Sequence, residues 1–122
     1  MPARKLADTL ARHALSLPEA WEDRPWAEDR VAKVRKKIFA FLADDDRGSL
    51  GVKLPHSSGF ALTLPCTTPM AYGMGKHGWM TIRLDDGSTP DVDLLRDWIV
   101  ESYRAIAPKT LAQQVGPNEE TR

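Results

Sequence analysis

The apolar residues of this 122-residue chain change their period twice, and that change restricts the fold more than any other feature. Leu6, Ala7, Leu10, Ala14 and Leu17 recur at three- and four-residue steps. This is one face of a helix, and Pro18 ends it by pushing Leu17 out of the helical region. From Val31 to Leu84 the apolar step falls to two. Val92, Leu95, Ile99, Tyr103 and Ile106 then return to helical spacing. A period-two centre with helical flanks predicts a sheet with helices gathered on one face, an α+β domain.

The centre divides into short strands. "VAKVR" sets Val31, Lys33 and Arg35 on one side and Ala32 and Val34 on the other. "KIFAFLA" favours strand and ends at the turn run "DDDRG". The short gap between them predicts a hairpin with a wing-like tip at Arg35-Lys36-Lys37. In "SLGVKL", Leu50, Val52 and Leu54 face one way and Gly51 and Lys53 the other, until Pro55 ends the strand. "HSSGFALTLPC" fits either a short helix capped by Ser57 or Ser58 or a strand; Gly59 weakens the helix. "TPMAYGMGKHGWMTIRLDDG" reads as two strands around a turn. Met80, Ile82 and Leu84 share one face, and Trp79, Thr81 and Arg83 the other.

The last helix is expected from about Pro90 to Ile106, with Thr89 as N-cap and Pro90 at the first position. "PEAWEDRPWAEDR" reads as an acidic connector whose tryptophans pack. The expected order is helix, three strands, short helix, two strands, helix. Short connections make the sheet antiparallel. One domain is expected over residues 1–109, followed by a tail, 110–122, mobile towards its end.

Several function classes recede on composition. The longest clean apolar run, Ile38 to Ala43, is strand-sized, so no membrane segment is expected. "MPARKLADTLARH" lacks the apolar centre of a signal peptide, which points to the cytoplasm. Cys66 is the single cysteine and reads as a small hydrophobe. His13, His56 and His77 have no ligand spacing, so neither a metal site nor a cofactor is expected. "DDDR" and "LDDG" are acidic turns that give only weak support for Mg²⁺.

"YGMGKHGW" spells G-x-G-x-x-G with Gly73, Gly75 and Gly78. A dinucleotide fingerprint needs a helix after its glycines, and here "WMTIRL" follows with strand alternation. A Walker loop needs Ser or Thr after its lysine, and His77 follows Lys76. A kinase glycine loop lies between strands, but 122 residues cannot hold the rest of a kinase. The block therefore reads as a hairpin turn that exposes Lys76 and His77.

Formal net charge is zero, with 17 basic and 17 acidic residues, but the charges are segregated. Residues 19–29 hold five acids and one arginine; residues 30–37 hold five bases and no acid. No acid occurs from Arg47 to Leu84. If the apolar strand faces cover the helices, the opposite face carries Lys33, Arg35, Lys53, Arg83 and Trp79. Lys36, Lys37, Lys76 and His77 stand at nearby turns. Such a set can neutralise phosphates and stack a base on an exposed aromatic. The plainer reading is a solvated face whose lysines guard sheet edges, with Trp79 pinning the hairpin. No nucleophile or paired carboxylate is placed beside His77, so no enzyme is expected.

"SLPEAWED", "KKIFAFL", "LGVKLP", "GKHGWMTIRLD" and "LLRDWIVESYRAIAPK" together resemble the MmcQ/YjbR family of small bacterial proteins. The resemblance runs from the first helix to about Lys109. It implies a secretion-chaperone-like fold, and it brings the description "predicted DNA-binding, double-wing motif" and no catalytic residues. The family's charged helix after the third strand is replaced here by "HSSGFALTLPC". The leading expectation is weak, salt-sensitive DNA or other nucleic-acid binding without strong sequence preference. The alternative is a protein-interaction module or homodimer that docks through Gly59 to Pro65.

Overall fold

The computed structural model describes residues 2–26, 29–44 and 48–115. Helix α1 (Ala3–Leu15) precedes four strands: β1 (Ala20–Trp26), β2 (Asp29–Val34), β3 (Lys37–Leu42) and β4 (Ser49–Lys53). A single helical turn, α2 (Ser58–Ala61), resolves the ambiguous segment. Strand β5 (Thr67–Pro69), a 3-10 turn (Met74–His77) and β6 (Trp79–Arg83) follow, then α3 (Val92–Ile106) and the short α4 (Lys109–Ala112). Among the described residues the strands form one antiparallel sheet, ordered β1-β2-β3-β4-β6-β5.

The acidic segment read as a connector is the edge strand β1. Its register pairs Trp21 with Lys33 and Asp23 with Val31. Pro25 is tolerated because an edge strand can lose a ladder donor. The cap of α3 also differs from expectation. Asp91 is the N-cap and accepts from the Leu94 amide at 3.0 Å. The Thr89 hydroxyl instead donates to the Arg83 carbonyl at 2.7 Å, tying the preceding turn to the end of β6.

Helices α1 and α3 pack on each other and on one face of the sheet. Leu6, Leu10 and Ala14 from α1 and Leu95, Ile99 and Tyr103 from α3 meet Val34, Leu42, Leu50, Val52, Met80 and Ile82. Each large apolar side chain fully buried there contributes roughly 1.5–3 kcal/mol. Trp98, outside the expected stripe, is also buried. Leu111 of α4 joins this core, and Arg104 donates to the carbonyls of Ala112 and Val115. The chain is therefore packed through Val115; residues 116–122 of the expected tail lie outside the described set.

One irregularity organises the middle of the sheet. Register shifts between β2 and β3 at Ala32/Lys33, which leaves Phe39 as the extra residue of a bulge. Phe39 and Ala40 are consequently both buried, and the Phe39 ring meets Tyr103 edge to face at 5.1 Å. The β3–β4 ladder pairs Ala40 with Val52 and Phe41 with Gly51. Its next pair would be Phe39 with Lys53. There the Ser102 hydroxyl of α3 enters, donating to the Phe39 carbonyl and accepting from the Lys53 amide at 2.8 Å.

Ser102 has no exposed surface. Ser102→Ala should leave both backbone groups unpaired and cost about 1–3 kcal/mol. The expected readout is a lower urea midpoint with an unchanged m value. An unchanged midpoint would contradict this role.

Candidate nucleic-acid interface

Antiparallel order decides where the basic residues meet. β2 ends at Val34 opposite Lys37, where β3 begins. β4 ends at Lys53 opposite Trp79, where β6 begins. Arg35, Lys36, Lys37, Lys53, Lys76 and His77 are therefore gathered at one end of the sheet. The expected gathering across one sheet face does not occur, because β1 brings the acidic segment back against the basic one.

The pairs are specific. Lys33 Nζ lies 2.7 Å from Asp23 Oδ2 and 5.2 Å from the centroid of the Trp21 ring. Its hydrogen bond is the chief cause holding the Asp23 carboxyl below the usual carboxylate range. Arg35 makes a two-pronged contact with Glu19, through Nε at 2.8 Å and a terminal nitrogen at 3.3 Å. Both residues have positive φ, 56° for Arg35 and 58° for Glu19. The indole N–H of Trp21 donates to the Arg35 carbonyl at 2.9 Å, fixing the hairpin tip. Arg83 stands at the opposite end of the sheet, bound to Asp86. The Ser88 amide and hydroxyl, with Arg83, bring the Asp86 carboxyl down to about 2.

Lys36, Lys37, Lys76 and His77 are exposed and Lys53 is half-buried. None of the five has a carboxylate partner among the described residues. Trp79 is 8% exposed and packs edge to face on Phe41, with ring centroids 5.6 Å apart. Its ring is thus an architectural pin and is not free to stack a base. This is the plainer of the two sequence readings, and the outward-facing Phe41 that covers the ring comes from a different strand.

The glycines of "YGMGKHGW" do separate jobs. Gly73 and Gly78 have φ of 77° and 90°, the left-handed region that glycine adopts without steric cost. Gly75 is needed for room: a Cβ there would lie 2.5 Å from Pro69 Cβ. The Leu54 amide donates to the Gly78 carbonyl at 2.8 Å, which locks this turn to the end of β4. Lys76 and His77 are thereby held beside Lys53.

The remaining candidates carry no constellation. Among the described residues no group of three or more His, Cys, Asp or Glu could hold a metal ion. His13 packs between α1 and α3 with a buried Nε2 that lacks a partner, and burial, then Arg96, lowers its pKa from 6.5. Cys66 is buried beside Thr67 and Ser88. No helix among the described residues is long and apolar enough to cross a membrane.

An antiparallel six-stranded sheet with helices packed on one face and a lysine-rich end defines a small α+β domain. A scan of protein families matches the YjbR family over residues 15–105, and the chain belongs to that family. A search of curated proteins gave no match.

The glycine assignments can be tested separately from function. Gly75→Ala should destabilise by about 1–3 kcal/mol, since the Pro69 ring cannot easily yield. Gly48→Ala, with nothing within 4 Å of the added Cβ, should shift thermal stability little. Equal effects of the two substitutions on the melting temperature would contradict the assignment.

Proposed function

We propose that this protein is a non-enzymatic nucleic-acid binder that holds the phosphate backbone weakly through the basic end of its sheet. The observation that carries the reading is the set Lys36, Lys37, Lys53 and Lys76, brought together by strand order and without carboxylate partners among the described residues. Ammonium groups on flexible stems suit phosphate contact and do not fix a base edge. Affinity would thus be salt-dependent and only weakly sequence-specific. The hairpin tip at Arg35–Lys36 supplies the wing, with Arg35 braced by Glu19 and serving mainly to shape it. A lone, buried Cys66 fits a reducing compartment such as the cytoplasm.

A second reading, docking of a protein partner or a second copy, is favoured by Phe60 and Leu62. They are 57% and 44% exposed on α2 and its following turn, where the segment Gly59 to Pro65 was expected to present an apolar surface. Sedimentation at micromolar concentration separates this reading: a dimer that Phe60→Ser/Leu62→Ser dissociates would support it, and a monomer would count against self-association.

The leading reading is tested by fluorescence anisotropy with labelled duplex and single strands at two salt concentrations. Contact with about four phosphates gives a duplex slope of about −3.6 in log K against log salt. Lys36→Glu/Lys37→Glu/Lys76→Glu should abolish binding without altering the circular dichroism spectrum. Absence of binding at low salt, or binding indifferent to the triple reversal, would contradict it.

A further inference from the structure

The outward face of the sheet holds a groove of about 450 Å³ that runs from the glycine turn across the middle of the sheet, with Phe41, Gly51, Met70, Tyr72, Met74 and Thr81 among its walls. Gly51 makes room for two of these walls: a Cβ there would lie 2.5 Å from Met70 Cε and 3.0 Å from Phe41 Cβ. Two methionines and two aromatic rings give soft apolar walls, while Thr81 adds a hydroxyl. Asp29 and Ser49 lie towards the end remote from the lysines. A phosphate would be attracted at the lysine end.

Tyr72 stands at the rim and is 100% exposed. It has φ of 63° and Gly73 has 77°, with the Met74 amide donating to the Ala71 carbonyl at 3.3 Å. Two positive φ values in succession are the pattern of a type I′ turn, where Asn-Gly is the favoured pair. A tyrosine in the left-handed region is strained, and this one gains no buried contact in return. Lys76 folds back towards the same turn: its Cε is 3.9 Å from the position of a Cβ on Gly73.

We propose that this groove receives an unpaired nucleobase from a single strand, with Tyr72 stacking on the base and Lys76 holding the adjoining phosphate. The inference rests on the phosphate-binding reading above and adds strand state and a base site to it. An aromatic face accepts any base, so the preference is for unpaired over paired strands and not for sequence. A duplex keeps its bases stacked inside and reaches only the lysine end.

The test uses a labelled oligothymidylate, a duplex of the same length and an abasic strand of the same length, in anisotropy titrations at low salt. The single strand should bind more tightly than the abasic strand. Tyr72→Asn should weaken single-strand binding about tenfold, within the range for loss of one stacked base. It should leave duplex binding unchanged and raise the melting temperature, because Asn tolerates the left-handed region. Tyr72→Phe should retain single-strand binding. If Tyr72→Asn or the abasic strand binds as the wild-type pair does while Lys36→Glu/Lys37→Glu/Lys76→Glu binds nothing, the base site is overturned and phosphate contact survives. If the wild-type protein binds none of the three probes, both readings fail.

Discussion

The hydroxyl of Ser102 closes the one place where the sheet cannot close itself. The bulge at Phe39 turns two successive residues of β3 inward, so the β3–β4 ladder ends early. Phe39 C=O and Lys53 N–H would otherwise be orphaned beneath α3, and an unpaired buried backbone group is costly. Ser102 serves both, as donor and acceptor, and so sets the spacing between α3 and two central strands. Tyr103, its neighbour, packs on Phe39 and donates to the Pro18 carbonyl at 2.6 Å, which ties the same helix to the entrance of β1. The strand ends that carry Lys37 and Lys53 emerge from this junction. Their placement is a consequence of packing on the far side of the sheet.

Charge is redistributed by folding in a way that the totals conceal. The β1–β2 pairing lays acids 22 and 23 against bases 30 and 33, giving Arg30–Glu22 at 3.2 Å and Lys33–Asp23 at 2.7 Å. Partly exposed cross-strand pairs of this kind add little stability. The larger effect is electrostatic: Lys33–Asp23 cancels positive charge on the outer face, while Arg30–Glu22, in register with Leu42 and Ala32, lies at the edge of the helix side. What persists is a difference between the two ends of the sheet. Lysines gather at one, while Asp29, Asp44, Asp85 and Asp86 occupy the other, with Arg24 and Arg83 against two of them. A neutral protein with separated ends can orient a polyanion without a strong overall attraction.

The period of the apolar residues made α1, β2, β3, β4, β6 and α3 legible, because each presents a regular stripe to one core. β1 was hidden because its alternation is built from Trp21, Asp23, Glu22 and Arg24, polar on both faces, and Pro25 reads as a strand breaker. That omission carried over to the site. Without β1, Lys33 and Arg35 look unopposed; with it, each has an acid partner. The bulge at Phe39 was not legible either, since "KIFAFLA" is apolar at both faces and gives no register. The Gly-Lys-His-Gly-Trp block was recognisable as a turn, but the separate duties of Gly73, Gly75 and Gly78 depend on neighbours at Pro69 and Leu54 that only tertiary structure supplies.

The central claim is that the lysine end of the sheet, and not its helical side, meets the ligand. Amide chemical-shift mapping of the isotopically labelled protein with a short single strand at low salt tests it residue by residue. The account predicts shifts confined to Arg35–Phe41, Gly51–Leu54 and Met70–Thr81, with α2 and α3 unmoved. Shifts concentrated on Gly59–Pro65, or no shifts at all under saturating strand, would contradict it.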